Sequence, residues 1–199
     1  MDSKRVISKK VSKNGILPWI VWTIFITIFS ISTITLWRSS RLSFDEVAHD
    51  DIVRLQDIFA HIQKDCYIVD FEQIVNPIDF LNAINFSGEK VGSMELAFPQ
   101  HWKGPYLKNN LRVQNKLYAV LKNKLGYFIV PGYGVRLANG KVIGKTLVLD
   151  QNSDMKKLMQ DSQALNSDKG ILAAQIKIGS RLMKNMIDKQ LNMLSAIDE

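Results

Sequence analysis

ILPWIVWTIFITIFSISTITLW, residues 16–37, runs for 22 residues without a charged side chain. A helix needs about 20 apolar residues to cross the hydrocarbon core of a bilayer, so this stretch predicts a transmembrane helix near the N-terminus. The flanks set its direction. Residues 1–15 carry Lys4, Arg5, Lys9, Lys10 and Lys13 against Asp2 alone, a net +4. The far side holds Arg38 and Arg41 and then turns acidic at Asp45, Glu46, Asp50 and Asp51. Excess Lys/Arg stays cytoplasmic, which predicts a basic cytoplasmic leader (1–15), a single span (16–37) and an exported remainder. Trp19, Trp22 and Trp37 stand near the ends of the stretch, where indoles favour the interface. A cleaved secretory signal is the rival reading. Its apolar region is ordinarily about 7–15 residues long and is followed by small residues such as A-x-A; this stretch is longer, and no such site follows it.

The exported part fits one domain by size. Of the formal charge of +7, +4 lies in the leader, and the remaining +3 reads as thinly spread. With no dense basic run interleaved with aromatics, nucleic-acid binding has no support. Cys66 is the one cysteine, so no internal disulfide forms. Its place on an apolar helix face predicts burial.

Outside the span, Phe44, Val47, Ile52, Leu55, Ile58, Phe59, Ile62 and Cys66 recur at helical spacing. Asp45, Glu46, Arg54, Gln56, Asp57 and Lys64 fill the opposite face. Ser43 with Glu46 has the form of a capping box, yet no Gly or Pro separates this helix from the span, so one long helix is equally open. Asn76-Pro77 predicts the start of a short helix through Phe86. Residues 87–115 read as an irregular, aromatic-bearing loop. LYAVL (117–121) and YFIV (127–130) read as strands. A hairpin follows, with Asn139-Gly140 joining 135–137 to 142–149. Asn152, Ser153 and Asp154 cap a helix over 155–165, and a last long helix runs from Ile171 to Leu194, weakened by Gly179. The fold class is therefore α+β: an N-terminal transmembrane helix continuing into an amphipathic helix, packed on a small antiparallel sheet (38–152), with a helical C-terminal extension (153–199).

Site chemistry is sparse. His49 and His61 are too far apart to share a metal, and no zinc-protease, paired-cysteine or phosphate-loop motif occurs. No Ser/His/Asp set sits in a nucleophile-elbow context, so the sequence nominates no catalytic residue and no cofactor. Asp150, Asn152, Asp154 and Asp161 resemble a calcium loop but lack its central Gly, with Met155 in that place; helix capping explains the same residues. Thr23, Thr27 and Ser30 line one side of the span, where small hydroxyl residues allow helices to approach one another. The alternative is that each hydroxyl bonds its own helix backbone.

Basic leader, Gly15, long apolar helix, amphipathic continuation, loop and small sheet together resemble a type IV pilin or type II secretion pseudopilin. Trp102-Lys-Gly104-Pro105-Tyr106-Leu107-Lys108 is similar to the W-x-G-P-Y-L-K segment of the major pseudopilins. Tyr127-Phe-Ile-Val-Pro131-Gly132 resembles that family's strand followed by Pro-Gly. The likeness covers roughly residues 9–149, with only these short segments specific. It implies a structural, non-enzymatic subunit of the bacterial inner membrane with a periplasmic domain. It implies cleavage between Gly15 and Ile16, packing roles for Trp102 and Tyr106, and a turn at Gly104-Pro105. Membrane lipid and other pilin-like or secretion-apparatus proteins are the implied partners, with no small-molecule substrate. Three departures stand out. Pro18 follows closely on the cleavage position, Ile20 stands where the family has a Glu, and Leu111–Asn115 replaces D-P-W-G-N. These departures keep two alternatives open, a permanently anchored scaffold that binds a protein partner and a membrane-anchored envelope enzyme.

Overall fold

The computed structural model describes residues 16–179 and Met186. The chain divides into two units, one ending at Ser40 and one beginning at Arg41. Helix α1 is assigned over Ile16–Cys66. Ser43 and Glu46 thus lie inside a helix rather than at its start, and the capping-box expectation fails.

In the first unit, Trp19–Leu36 form a helical stretch long and apolar enough to cross a membrane. Every side chain in that stretch is exposed. Thr23, Thr27 and Ser30 donate to the carbonyls of Ile20 (2.8 Å), Thr23 and Ile26 (2.7 Å). Their hydroxyls are therefore satisfied within the helix, leaving aliphatic and aromatic groups as the stretch's outward chemistry. Gly15 and the leader lie outside the described residues.

The second unit mixes the outer part of α1 and a second short helix with small antiparallel sheets. Its centre is a four-stranded sheet built from β2 (Val75–Pro77), β7 (Ala119–Asn123), β8 (Gly126–Val130) and β11 (Ala174–Ile176), in the order β11-β8-β7-β2. The predicted hairpin of β7 and β8 is present, with Ala119 opposite Val130 and Asn123 opposite Gly126. A second sheet joins β1 (Ile68–Phe71), β4 (Met94–Leu96) and β3 (Lys90–Val91). Two short hairpins, β5–β6 (Arg112–Val113, Lys116–Leu117) and β9–β10 (Asn166–Ser167, Gly170–Ile171), complete the strands.

The core forms where α1 meets the central sheet. Ala48, Ile52, Leu55, Phe59, Ile62 and Cys66 are buried on the helix, with Phe71, Val120, Leu121, Phe128 and Ile129 buried on strands, Tyr118 between β6 and β7, and Leu81 and Leu107 in loops. The predicted apolar face is right in its middle and wrong at one end: Phe44 and Val47 are exposed, while Ala48 is buried. Asp45, expected on the solvent face, is buried and accepts the Ala138 N–H at 3.2 and 3.3 Å.

Four further expectations are corrected. Asn76-Pro77 opens no helix; both lie in β2, opposite Val120 and Ala119. The edge position of β2 is where a strand tolerates a residue without an N–H. Residues 135–137 and 142–149 make a tight turn with an Arg136–Val142 bridge rather than two long strands. Helix α2 stops at Gln160 (Met155–Gln160). The predicted long helix from Ile171 is replaced, in its described part, by β10 and β11; β11 adds to β8 with Gln175 opposite Phe128. Gly179 is not in a helix: its N–H bonds the Ile68 carbonyl at 2.9 Å, and the ring of Tyr67 fills the space a side chain would need. The later part of the predicted helix lies outside the described residues, apart from Met186, which is helical and exposed.

Candidate functional site

The motif around Trp102 forms a clamp on the end of α1. The short 3-10 turn Pro99–His101 leads into Trp102, and its backbone closes onto Pro99. The indole packs edge-on against Phe86 (centroids 5.4 Å) and Tyr106 (4.8 Å), a preferred aromatic geometry. Its Nε1–H donates to the Ala83 carbonyl at 3.1 Å. At Gly104 any side chain would collide with that carbonyl and with the indole nitrogen, so glycine is required by close approach. Pro105 follows through a cis peptide bond, and the N–H groups of Tyr106 and Leu107 both bond the Leu81 carbonyl.

On the helix side, His101 Nδ1 donates to the Asp65 carbonyl (3.1 Å) and Lys103 Nζ pairs with the Asp65 carboxylate (3.0 Å). The Lys103 ammonium holds the Asp65 carboxyl below its usual range. Cys66 is fully buried. Burial pushes its thiol up, and likewise the Tyr106 phenol that reaches its sulfur; a raised thiol is a poor nucleophile. A cleft of about 320 Å³ opens beside Asp65, Gln100, His101, Trp102 and Lys103. Its imidazole, ammonium and carboxylate already bond one another or the backbone. His49 and His61 are likewise held by the carbonyls of Ile171 and Asp57. Each imidazole thus has a positioning contact, and these three histidines do not converge.

The four calcium candidates are not brought together as ligands. Asp150 takes the Ser153 hydroxyl (2.8 Å) and then the Asn152 N–H (2.9 Å), which lowers its carboxyl. Asp154 caps α2 by accepting Lys157 N–H, and Asp161 accepts Gln163 N–H. Asn152 enters this set through its backbone N–H. Among the described residues no group of three His, Cys, Asp or Glu side chains is placed to hold a metal.

Buried polar pairs tie the helix and sheets together. Tyr118, fully buried, donates its hydroxyl to Asp51 at 2.8 Å. Burial, reinforced by the Asp51 carboxylate, drives the Tyr118 phenol far up, and burial raises Asp51 itself. Asp70 is opposed by burial, but Lys122 (2.6 Å), Tyr127 (2.6 Å) and the Phe71 N–H (2.7 Å) outweigh it and hold the carboxyl low.

The sequence reading missed one feature in plain view. The domain's positive charge is not thinly spread. Between Glu95 and Asp150 there is no acidic residue, while Lys103, Lys108, Arg112, Lys116, Lys122, Lys124, Arg136, Lys141 and Lys145 all stand there. Residues 38–95 hold eleven Asp/Glu against five Lys/Arg. Averaging over the domain hid the segregation; a running charge sum would have found it.

No known protein family, curated protein or solved structure matches the chain.

Proposed function

We propose that this protein is a membrane-anchored structural subunit of the pilin or pseudopilin kind, working in a bacterial envelope secretion or pilus-type apparatus. Helix α1 carries the reading. Its first described part is apolar and exposed on every side, whereas its last part buries one face on a small antiparallel sheet. A helix apolar all round wants lipid or neighbouring helices. The segment similar to the pseudopilin one adds support: Trp102 fixes the loop on Ala83 and Phe86, Tyr106 reaches Cys66 at the end of α1, and the neighbouring His101 and Lys103 bond Asp65. On this reading residues 16–37 sit in the inner membrane with the leader in the cytoplasm. Subunits associate laterally through α1, and the domain meets neighbouring subunits or cargo in the periplasm. Assembly, rather than bond-making chemistry, is the activity.

Pro18 and Ile20 favour a second reading, a scaffold of the same architecture that keeps its leader. The family's Glu is missing at Ile20, and with it the pairing that favours addition to a filament. Intact mass and N-terminal sequencing of the protein from native membranes separate the two. A chain beginning at Ile16 supports a processed subunit; one beginning at Met1 or Asp2 establishes the permanent anchor. A chain beginning beyond Trp37 would overturn both, because the helix would then be a discarded signal.

A further inference from the structure

The second unit carries a group of cations close to where the chain enters it. Asp45 comes eight residues after Trp37, a stretch of at most about 29 Å even when fully extended. Its carboxylate takes the Ala138 N–H at 3.2 and 3.3 Å, which pins the loop after β8 to the first turns of the domain's helix. One turn further on, His49 bonds the Ile171 carbonyl. The far end of that helix, at Asp65, lies about 30 Å away by helical rise.

The pinned loop gathers positive charge. The Leu137 N–H bonds the Lys141 carbonyl at 2.9 Å, turning the chain past Ala138 and setting Lys141 beside it. The Gln114 amide grips the backbone of Arg136 from both sides, donating to its carbonyl (2.6 Å) and accepting from its N–H (2.9 Å). This brings the β5–β6 hairpin onto the loop, and the end of the Lys116 side chain lies over Gly134. The Gly134 N–H bonds the Ile143 carbonyl (2.8 Å), and the Tyr133 ring lies over Gly144, next to Lys145. Lys116, Arg136, Lys145 and Tyr133 are exposed, and Lys141 is half-buried. None of these four cations makes an ion pair among the described residues. Of the carboxylates at that end of the helix, Asp45 is buried on Ala138, Glu46 lies 3.4 Å from Lys169, and Asp50 is exposed. Phe44, one residue before Asp45, is exposed as well.

We infer that the Lys116–Arg136–Lys141–Lys145 surface docks on anionic phospholipid headgroups of the bilayer that holds the span. The inference rests on the anchored reading of residues 16–37 and adds to it a lipid class and a surface that anchoring does not require. The short connection keeps the loop within reach of the headgroups, so contact is in effect intramolecular. Each Lys or Arg brought to an anionic surface adds attraction, which fades within a Debye length. The rings of Tyr133 and Phe44 suit the same interface. An acidic protein from solution would have to displace a surface that is tethered beside the loop.

The test uses the full chain, one copy per lipid nanodisc, in discs of phosphatidylcholine alone or with about one third phosphatidylglycerol. Acetic anhydride labels the amines, and mass spectrometry reads the rate lysine by lysine. Lys124 is the reference. It is exposed, and β7 leads to it away from the tethered end, with Tyr118 bonded to Asp51 and Lys122 bonded to Asp70, beyond the end of α1. Labelling of Lys116, Lys141 and Lys145 should slow at least about fivefold in the anionic discs, with Lys124 changed less than about twofold. Raising the salt from roughly 0.05 to 0.5 M should remove the protection. Arg136→Glu with Lys141→Glu should leave Lys116 and Lys145 equally labelled in both discs, whereas Arg136→Lys with Lys141→Arg should keep the difference. The two-disc comparison of the parent chain decides even where a variant misfolds. Equal labelling of the parent in both discs would overturn the inference, as would protection that survives the charge reversal. So would protection that needs two chains per disc and no phosphatidylglycerol, which would make a second copy the occupant. Equal labelling alongside a native chain beginning at Met1 or Ile16 refutes this contact alone and leaves the anchored reading standing; a native chain beginning beyond Trp37 removes the anchor and both with it.

Discussion

Replacing Trp102 by Ala should destabilise the domain by about 2–4 kcal/mol. A fully buried Trp→Ala change costs about 3–5 kcal/mol, and Trp102 is only partly buried, which lowers that figure. Against this, the change removes two edge-to-face contacts, to Phe86 and Tyr106, each worth about 0.5–1.5 kcal/mol beyond area. It also leaves the Ala83 carbonyl without the indole N–H, a loss of about 1 kcal/mol. Trp102→Phe separates the terms. It keeps a ring against Phe86 and Tyr106 but cannot donate, so about 1 kcal/mol should be lost. In a domain of this size each kcal/mol moves the melting point by roughly 2–4 °C. The Ala variant should melt roughly 5–15 °C lower and the Phe variant roughly 2–4 °C lower, read by circular dichroism of the full chain in neutral detergent. An Ala variant melting within about 2 °C of the parent would refute the clamp, because the loop would then lie on the domain without holding it.

Asn76→Ala should cost about 3–4 kcal/mol, read as a lower urea midpoint. Asn76 is fully buried, and its amide serves the Gln73 N–H, the Gln73 carbonyl and the Val120 carbonyl at once, groups that are expensive to strand in the interior; an unchanged midpoint would mean that water replaces the amide. The pH dependence should split by carboxylate. Asp70 is held low, so its stabilisation is present above the unfolded Asp pKa near 3.9 and is lost as pH falls through the lower folded value. Asp70→Asn should therefore weaken the domain at pH 7 by about 1–3 kcal/mol, with the gap closing in acid. Asp51 is raised, so its ionisation works against the fold once pH exceeds the folded value. Asp51→Asn keeps an acceptor for Tyr118, and it should match or exceed the parent's stability at pH 7 and lose any advantage below about pH 4. Urea midpoints that move in the same direction for both variants at pH 7 would contradict the assignment.

The parts of the fold legible in the sequence are those where local pattern and tertiary role agree. The 16–37 stretch, the buried line Ile52–Leu55–Phe59–Ile62–Cys66 and the β7–β8 hairpin each follow from a single period. The parts missed are those where tertiary contact overrides local preference. Leu172-Ala-Ala-Gln-Ile176 has helix-forming composition, yet β8 offers it an edge, and burial then alternates, with Ala174 and Ile176 in and Gln175 out. Strand β1 went unseen because nothing punctuates the chain after Cys66. The break is made by Tyr67 in the left-handed region (φ 54°), a place normally marked by Gly or Asn. The clamp was readable as a motif, but its partners Phe86 and Ala83 were assigned to a helix that does not form. The Gln114–Asn115 turn, with positive φ at two non-glycine residues, falls inside the 87–115 segment that reads as irregular.

Consider finally which charges the fold has used internally. Asp45, Asp51, Asp65, Asp70 and Asp150 are each engaged by an N–H, a hydroxyl or an ammonium within the domain. Lys103 and Lys122 are taken by two of them. Apart from the local contacts of Asp150, these pairs join distant segments, 67 residues apart for Asp51–Tyr118 and 52 for Asp70–Lys122, so they hold the tertiary structure together. Arg112, Lys116, Arg136 and Lys145 do no comparable work. Packing does not require four cations there, and a stretch from 96 to 149 with no acidic residue leaves like charges to repel one another. A soluble surface ordinarily intersperses both signs. The exposed apolar groups of 19–36 pose the same problem in a different currency, since they too are unfavourable until lipid or another helix covers them. On the proposed reading, surfaces that are costly in the isolated chain and relieved by contact are what a subunit needs.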